Sequence, residues 1–159
     1  MPQFTIDWPS RAIKNNSIAD DAAIEAKKII RHQSIGVELY GPAVAVAALT
    51  KDLLIIRGAT GTLMGVEAAI CGTIATGADR TVTVDLHKST AAGAFATVVS
   101  GGTIGFTNAS VLRTATAGVL SSSALVDGDI LRAIVTVAGA AGNQAIGLIL
   151  TVTWEETWV

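Results

Sequence analysis

Two histidines, one cysteine and a thin scatter of carboxylates are what this chain offers for chemistry near neutral pH. His87 stands two residues after Asp85 in Thr81-Val82-Thr83-Val84-Asp85-Leu86-His87, so a β-strand places the two on one face. An Asp–His pair joined by a serine is the grouping of a nucleophilic hydrolase. No Gly-x-Ser-x-Gly elbow accompanies the pair, and Ser121-Ser122-Ser123 reads as loop. A polar strand face is therefore the reading adopted. His32 and His87 are too far apart in sequence to suggest a metal site. Cys71, in Ala-Ala-Ile-Cys-Gly-Thr-Ile, is the only cysteine, so an intrachain disulfide is impossible. It reads as a small core residue.

Three further groupings have bland counterparts that outweigh them. Leu53-Leu54-Ile55-Ile56-Arg57-Gly58-Ala59-Thr60-Gly61-Thr62-Leu63-Met64-Gly65 imitates the opening of a dinucleotide-binding unit, and Asp85 offers a carboxylate for a ribose hydroxyl. Its glycines fall as GxxGxxxG, however, and no amphipathic helix follows Asp85 to cover a parallel sheet. Strand–turn–strand is the better reading. Asp127 and Asp129 flank Gly128 without the further oxygen ligands that a calcium loop needs, so a turn is expected. Glu155-Glu156, between Trp154 and Trp158, would suit a sugar stacked on an aromatic face, or a subunit contact. The contact is preferred. No catalytic, cofactor-binding or metal-ligating residue is assigned, and the chain is not read as an enzyme.

The elements that carry these residues are β-strands. Apolar residues make up 50 % of the 159 residues and charged ones 15 %, which excludes a disordered chain and gives enough for one domain's core. Aromatics are only 4 %, so aliphatic and small β-branched side chains must fill that core. With so few charges, apolar surface is expected to be covered by other subunits. From Ile35 onward six Lys/Arg face nine Asp/Glu, a balance of −3 that offers no basic surface for nucleic acid. No uncharged window has the ~20 strongly apolar residues of a membrane-spanning helix. The opening MPQFTIDWPSR lacks the apolar centre of a signal peptide, which argues against secretion by that route.

Residues 1–14 combine Pro2 and Pro9 with Phe4 and Trp8 and suit an extended tail that docks its aromatics elsewhere. In the stretch that follows, Asp20 or Asp21 is placed to cap a short helix, with Glu25 early and Lys27, Lys28 and Arg31 in its last turn. Beyond residue 35 the period becomes that of strands. Val37–Tyr40 ends at Gly41-Pro42, Val44–Leu49 and Leu53–Arg57 flank Lys51-Asp52, and residues 63–76 are ambiguous. Thr81–His87 is the clearest alternation, with Val82, Val84 and Leu86 facing inward. Phe95–Ser100, Thr103–Phe106 and Val111–Thr116 follow. Ile130–Val137 and Ala145–Glu155 read as a terminal hairpin whose return strand puts Ile146, Leu148, Leu150, Val152 and Trp154 on one face. The fold class expected is all-β: a jelly-roll-like β-sandwich, residues 35–159, preceded by an extended N-terminal arm with a short helix, residues 1–34.

Ser17-Ile18-Ala19-Asp20-Asp21-Ala22-Ala23-Ile24-Glu25-Ala26-Lys27-Lys28-Ile29, closed by Arg31-His32-Gln33, resembles a phrase frequent in tailed-phage structural proteins. There it runs roughly V-x-D-x-x-I-x-x-x-A-x-I-x-A-S-K-L before a His-containing stretch; here Lys28-Ile29 replaces the Ser-Lys-Leu. Thr83-Val84-Asp85-Leu86-His87-Lys88 is similar to the V-D-I-x-K strand of their β-sandwich heads, and Asp127-Gly128-Asp129-Ile130-Leu131 to their closing phrase. The family it resembles is that of phage capsid decoration (cement) or head-fibre proteins. The resemblance implies a trimeric or otherwise homo-oligomeric virion protein, made in the bacterial cytoplasm and held on the major capsid protein by its N-terminal arm. It implies no active site, and with the charge and hydropathy above no cofactor, nucleic acid or membrane partner is expected. Phe4, Trp8 and Ile13 would be the anchors and Arg11 and Lys14 the partners of acidic groups on the shell, with Trp154 and Trp158 at a subunit contact. The alternatives are a fibre tip or glycan-binding module, and below it a nucleotide-cofactor enzyme built on Gly58–Gly65.

Overall fold

Thr81–Ser89 (β4) shows how this chain builds itself. Val82, Val84 and Leu86 are buried while Thr81, Thr83, Asp85 and His87 are partly open, the period-2 pattern of a strand with one face in a core. In the computed structural model, which describes residues 30–72, 81–89, 93–139 and 145–158, all the described regular structure is strand. In chain order the others are β1 (Ile30–Ala45), β2 (Leu49–Ile55), β3 (Ala59–Gly72), β5 (Ala96–Thr97), β6 (Ile104–Phe106), β7 (Thr116–Gly118), β8 (Ala124–Leu125), β9 (Ile130–Ala138) and β10 (Ile146–Trp158).

Two antiparallel sheets share one core. The first runs β1-β10-β3-β7, with β8 also paired to β3; the second runs β2-β9-β4-β5, with β6 also paired to β4. Leu63, Ile70, Leu148 and Leu150 from the first sheet and Leu86, Leu131 and Phe106 from the second are fully enclosed in a single cluster. Phe106 is the one aromatic among the described core residues, and the rest is Val, Leu, Ile and Ala, as so aromatic-poor a composition requires. Each enclosed Leu contributes about 1.5–3 kcal/mol relative to exposure. The expectation of a β-sandwich holds. No helix among the described residues is long and apolar enough to cross a membrane.

Several details depart from the sequence reading. The terminal hairpin is not one: β9 pairs with β2 and β4, β10 pairs with β1 and β3, and the link between them passes from one sheet to the other. Both strands have one apolar face, and laying those faces against the common core encloses both, which side-by-side pairing in one sheet does not require. Lys51-Asp52 is not a turn but the middle of β2, where Asp52 lies opposite Arg132 of β9. Gly41-Pro42 does not end a strand either, since β1 continues to Ala45 through shifts in register. Residues 111–115 are loop rather than strand, and Arg113 has the left-handed φ of 56° that an extended strand excludes.

Ile146 does not join Leu148, Leu150 and Val152 inside. Gly147 takes φ 66°, where a Cβ would run into Pro42 and Cys71, and Ile146 before it is exposed. The segment expected to form the short helix lies outside the described residues, except that Ile30 and Arg31 belong to β1, which pairs with β10 from Ile30↔Thr157 onward.

Candidate functional site

One end of the first sheet, where β1 begins and β10 ends, carries an open surface depression. There Trp154 of β10 lies between Gln33 of β1 and Leu63 of β3, next to a register shift after Thr153. Gln33 Nε2 donates to Glu156 Oε1 at 3.1 Å and Trp154 Nε1 donates to Glu156 Oε2 at 3.4 Å, so one carboxylate fixes both side chains. His32 Nδ1 stands 3.4 Å from Glu155 Oε1. An open depression of about 350 Å³ is lined by His32, Gln33, Ser34, Met64, Thr153 and Trp154. An indole, an exposed thioether and two hydroxyls make a mostly apolar dish with a few polar groups, suited to a flat ligand or an inserted side chain.

Of the expected contact residues, the structure places Trp154 here. Trp158 ends β10 in register with Ala59. Phe4, Trp8, Arg11, Ile13 and Lys14 lie outside the described residues.

Across the molecule, the outer face of the second sheet carries the Asp–His pair. His87 Nε2 and Asp85 Oδ2 are 2.7 Å apart, and Thr97 on β5, opposite His87, donates its hydroxyl to Asp85 Oδ1 at 2.6 Å. His87 also lies opposite Arg132 on β9, whose Nε donates to Asp52 Oδ1 at 2.5 Å and whose guanidinium sits 3.6 Å over the Phe95 ring. The guanidinium hydrogen bond holds the Asp52 carboxyl below its ordinary value, and Asp52 raises Arg132 in return.

A nucleophilic triad needs the hydroxyl on the imidazole. Here the hydroxyl is on the carboxylate, and His87 Nδ1 is buried with no partner among the described residues. The pair thus belongs to a polar ladder, Asp52–Arg132–His87–Thr97, across four strands. Asp85 and His87 were legible as same-face neighbours. Thr97 and Arg132 were not, because nothing local joins them to residue 87.

Asp127-Gly128-Asp129 forms a turn, as expected. Asp127 Oδ1 accepts from Gly58 N at 2.8 Å, Gly128 takes φ 89°, and Asp129 Oδ2 accepts from Val126 N at 2.9 Å. Lys88 Nζ stands 3.4 Å from that same Oδ2 and donates to Ala124 O at 2.7 Å. The position a cation would take beside Asp129 is filled by an ammonium group. Among the described residues no three His, Cys, Asp or Glu side chains gather as metal ligands.

The Gly58–Gly65 run is no phosphate loop. Gly58 is a bend with φ 64°, and Gly61 and Gly65 lie inside β3, antiparallel to β10, with β8 on the far side of Gly61. A side chain at Gly61 would run into the backbone oxygen of Glu155. Gly61 and Gly65 serve strand–strand approach, and among the described residues no helix follows to present amides to a pyrophosphate. No protein-family model matches the chain, and no curated protein does.

Proposed function

We propose that the chain is a structural virion protein, a capsid decoration or cement protein that assembles as a homotrimer and binds the major capsid protein to stabilise the shell. The observation that carries the reading is the connectivity. The orders β1-β10-β3-β7 and β2-β9-β4-β5, in which β1 to β4 alternate between the sheets and the chain crosses again from β9 to β10, support a jelly roll, an architecture common among viral capsid and lectin domains. The N-terminal segment would grip the shell with Phe4, Trp8 and Ile13, aided by Arg11 and Lys14. Polar groups that could do chemistry are engaged in structure: Asp85 with His87 and Thr97, Asp129 with Lys88, Asp52 with Arg132.

Cosedimentation with assembled shells of a tailed-phage major capsid protein tests this. The full-length chain should pellet with the shells, and a chain beginning at Ile30, where β1 starts, should not. Undiminished pelleting of the shortened chain would overturn the arm. Absence of pelleting by the full chain would overturn the cement role.

One observation favours a second reading, a fibre tip or glycan-binding module: the open depression beside Trp154. It requires binding to a glycan panel that disappears in Trp154→Ala, since a lost aromatic face removes the stacking surface.

A further inference from the structure

We infer that copies of this chain associate head to tail, the loop around Arg113 at one edge of the first sheet meeting the patch around Glu38 at the opposite edge of a second copy. The inference rests on the homo-oligomeric reading above and supplies the contact surface which that reading leaves open.

The strand order β1-β10-β3-β7 puts β1 and β7 at opposite edges. Just before β7 the chain still runs beside β3, because Arg113 N donates to Ile70 O at 2.8 Å. This loop exposes Val111 at 70 % and Leu112 at 37 %, large apolar side chains left in water. Arg113 is exposed, has no ion-pair partner among the described residues, and is the one described non-glycine residue with positive φ. A long side chain held in the left-handed region costs energy, and such positions cluster where something binds.

The opposite edge mirrors this in chemistry with the sign reversed. Glu38 of β1 is exposed, without an ion-pair partner among the described residues, and lies opposite Ile149, itself 39 % exposed. Val44 is 52 % exposed, and its Cγ2 and Glu38 Oε1 both crowd the open side of Gly41, so the three form one patch. Each edge therefore presents apolar side chains around one unpaired charge, cationic on one and anionic on the other. Guanidinium and carboxylate are the pair with the best mutual geometry.

Height along the strands matches as well. Arg113 is level with Ile70, which is in register with Leu148, which is in register with Tyr40, two residues from Glu38. Opposite edges that meet at nearly the same height give little rise per copy, which a closed ring requires, whereas an offset would climb into a filament. A two-fold contact of either patch with itself would instead bring like charges together.

Light scattering on the full-length protein tests the inference through four chains: wild type, Glu38→Arg, Arg113→Glu and the double reversal. The wild type should have an oligomer's mass. Each single reversal should fall to the mass of one chain at the same concentration while keeping a cooperative thermal transition, and the double reversal should regain the wild-type mass. Val111→Asp, at a solvent-facing position, should show the same loss without touching either charge. Unchanged mass in both single reversals overturns this contact and leaves the oligomer standing. A double reversal that stays a single chain overturns the Glu38–Arg113 pairing. A wild type with the mass of one chain overturns the oligomeric reading along with it.

Discussion

The Lys88 ammonium stands 3.4 Å from the carboxylate of Asp129, a side chain fully enclosed by the protein. The two residues come from two short stretches, Val84-Asp85-Leu86-His87-Lys88 and Asp127-Gly128-Asp129-Ile130-Leu131. Far apart in sequence, they lock one end of the sandwich: Lys88 also ties down Ala124 of β8, and the Asp129 backbone bonds Ile56 after β2. Two stretches that look unrelated in the sequence form one clamp in space.

The clamp is asymmetric, and that predicts unequal mutants. Lys88 keeps partial access to water, so Asp129→Asn leaves an ammonium able to hydrate. Lys88→Met strands a carboxylate that has one oxygen without any partner among the described residues. Removing the partner of a buried charge costs about 3–5 kcal/mol. Lys88→Met is expected to lose about that much in urea unfolding and Asp129→Asn distinctly less. Equal losses would contradict the assignment of the buried member.

Asp52 and Arg132 give a pH dependence of known sign. The folded-state Asp52 carboxyl titrates below its ordinary value, chiefly through the guanidinium hydrogen bond. Its contribution is therefore present above the unfolded value of about 3.9 and disappears as pH falls through the lower folded value. Both groups meet solvent, so the effect is small. The melting temperatures of wild type and Asp52→Asn should differ slightly at pH 7 and converge in strong acid. A gap that widens on acidification would show that the pair does not act this way.

Gly61 and Gly105 separate crowding from composition. A methyl at Gly61 meets the backbone oxygen of Glu155 on the paired strand, whereas at Gly105 nothing lies within 4 Å. Forced overpacking typically costs about 1–3 kcal/mol, while an unobstructed Gly→Ala in a compatible backbone is neutral or mildly stabilising. Chemical denaturation of Gly61→Ala and Gly105→Ala should reproduce that contrast. Equal behaviour of the two would mean that β3 and β10 do not approach so closely.

What the sequence made legible was period, and what it hid was partnership. Val82, Val84 and Leu86 announce β4 because one face is buried and the other is wet. Residues 63–76 stayed ambiguous because β3 is thinned by Gly61, Gly65 and Gly72. Those glycines answer to Glu155, Thr153 and Ile146 on β10, over 70 residues away. Lys51-Asp52 looked like a turn because two charges side by side usually mark one; in fact Asp52 is held in a strand by Arg132, 80 residues on. Likewise Gly139 and its neighbours announce a loop after β9 without saying whether the chain turns back in one sheet or crosses to the other. At the Trp154 depression, the indole and Glu155-Glu156 were visible locally, but His32 and Met64 reach it only through β1 and β3 pairing.

That same pairing decides where the N-terminal segment can be cut. Residues 30–35 of β1 are in register with residues 157–152 of β10, Gln33 fixes Glu156, and Ile35 packs on the core. A chain that starts at Ile30 retains all of this, and its melting temperature should match that of the full-length protein. A chain that starts at Gly36 loses the strip and bares the edge of β10. Loss of a partly buried Ile together with its strand contacts is worth about 2 kcal/mol, or roughly 4–8 °C for a domain of this size. The uncovered edge also offers unpaired backbone groups to other chains, so aggregation on heating should rise. Differential scanning calorimetry of the two shortened chains measures both effects. Equal melting temperatures would show that residues 30–35 add nothing to the sandwich and belong functionally with the segment before them.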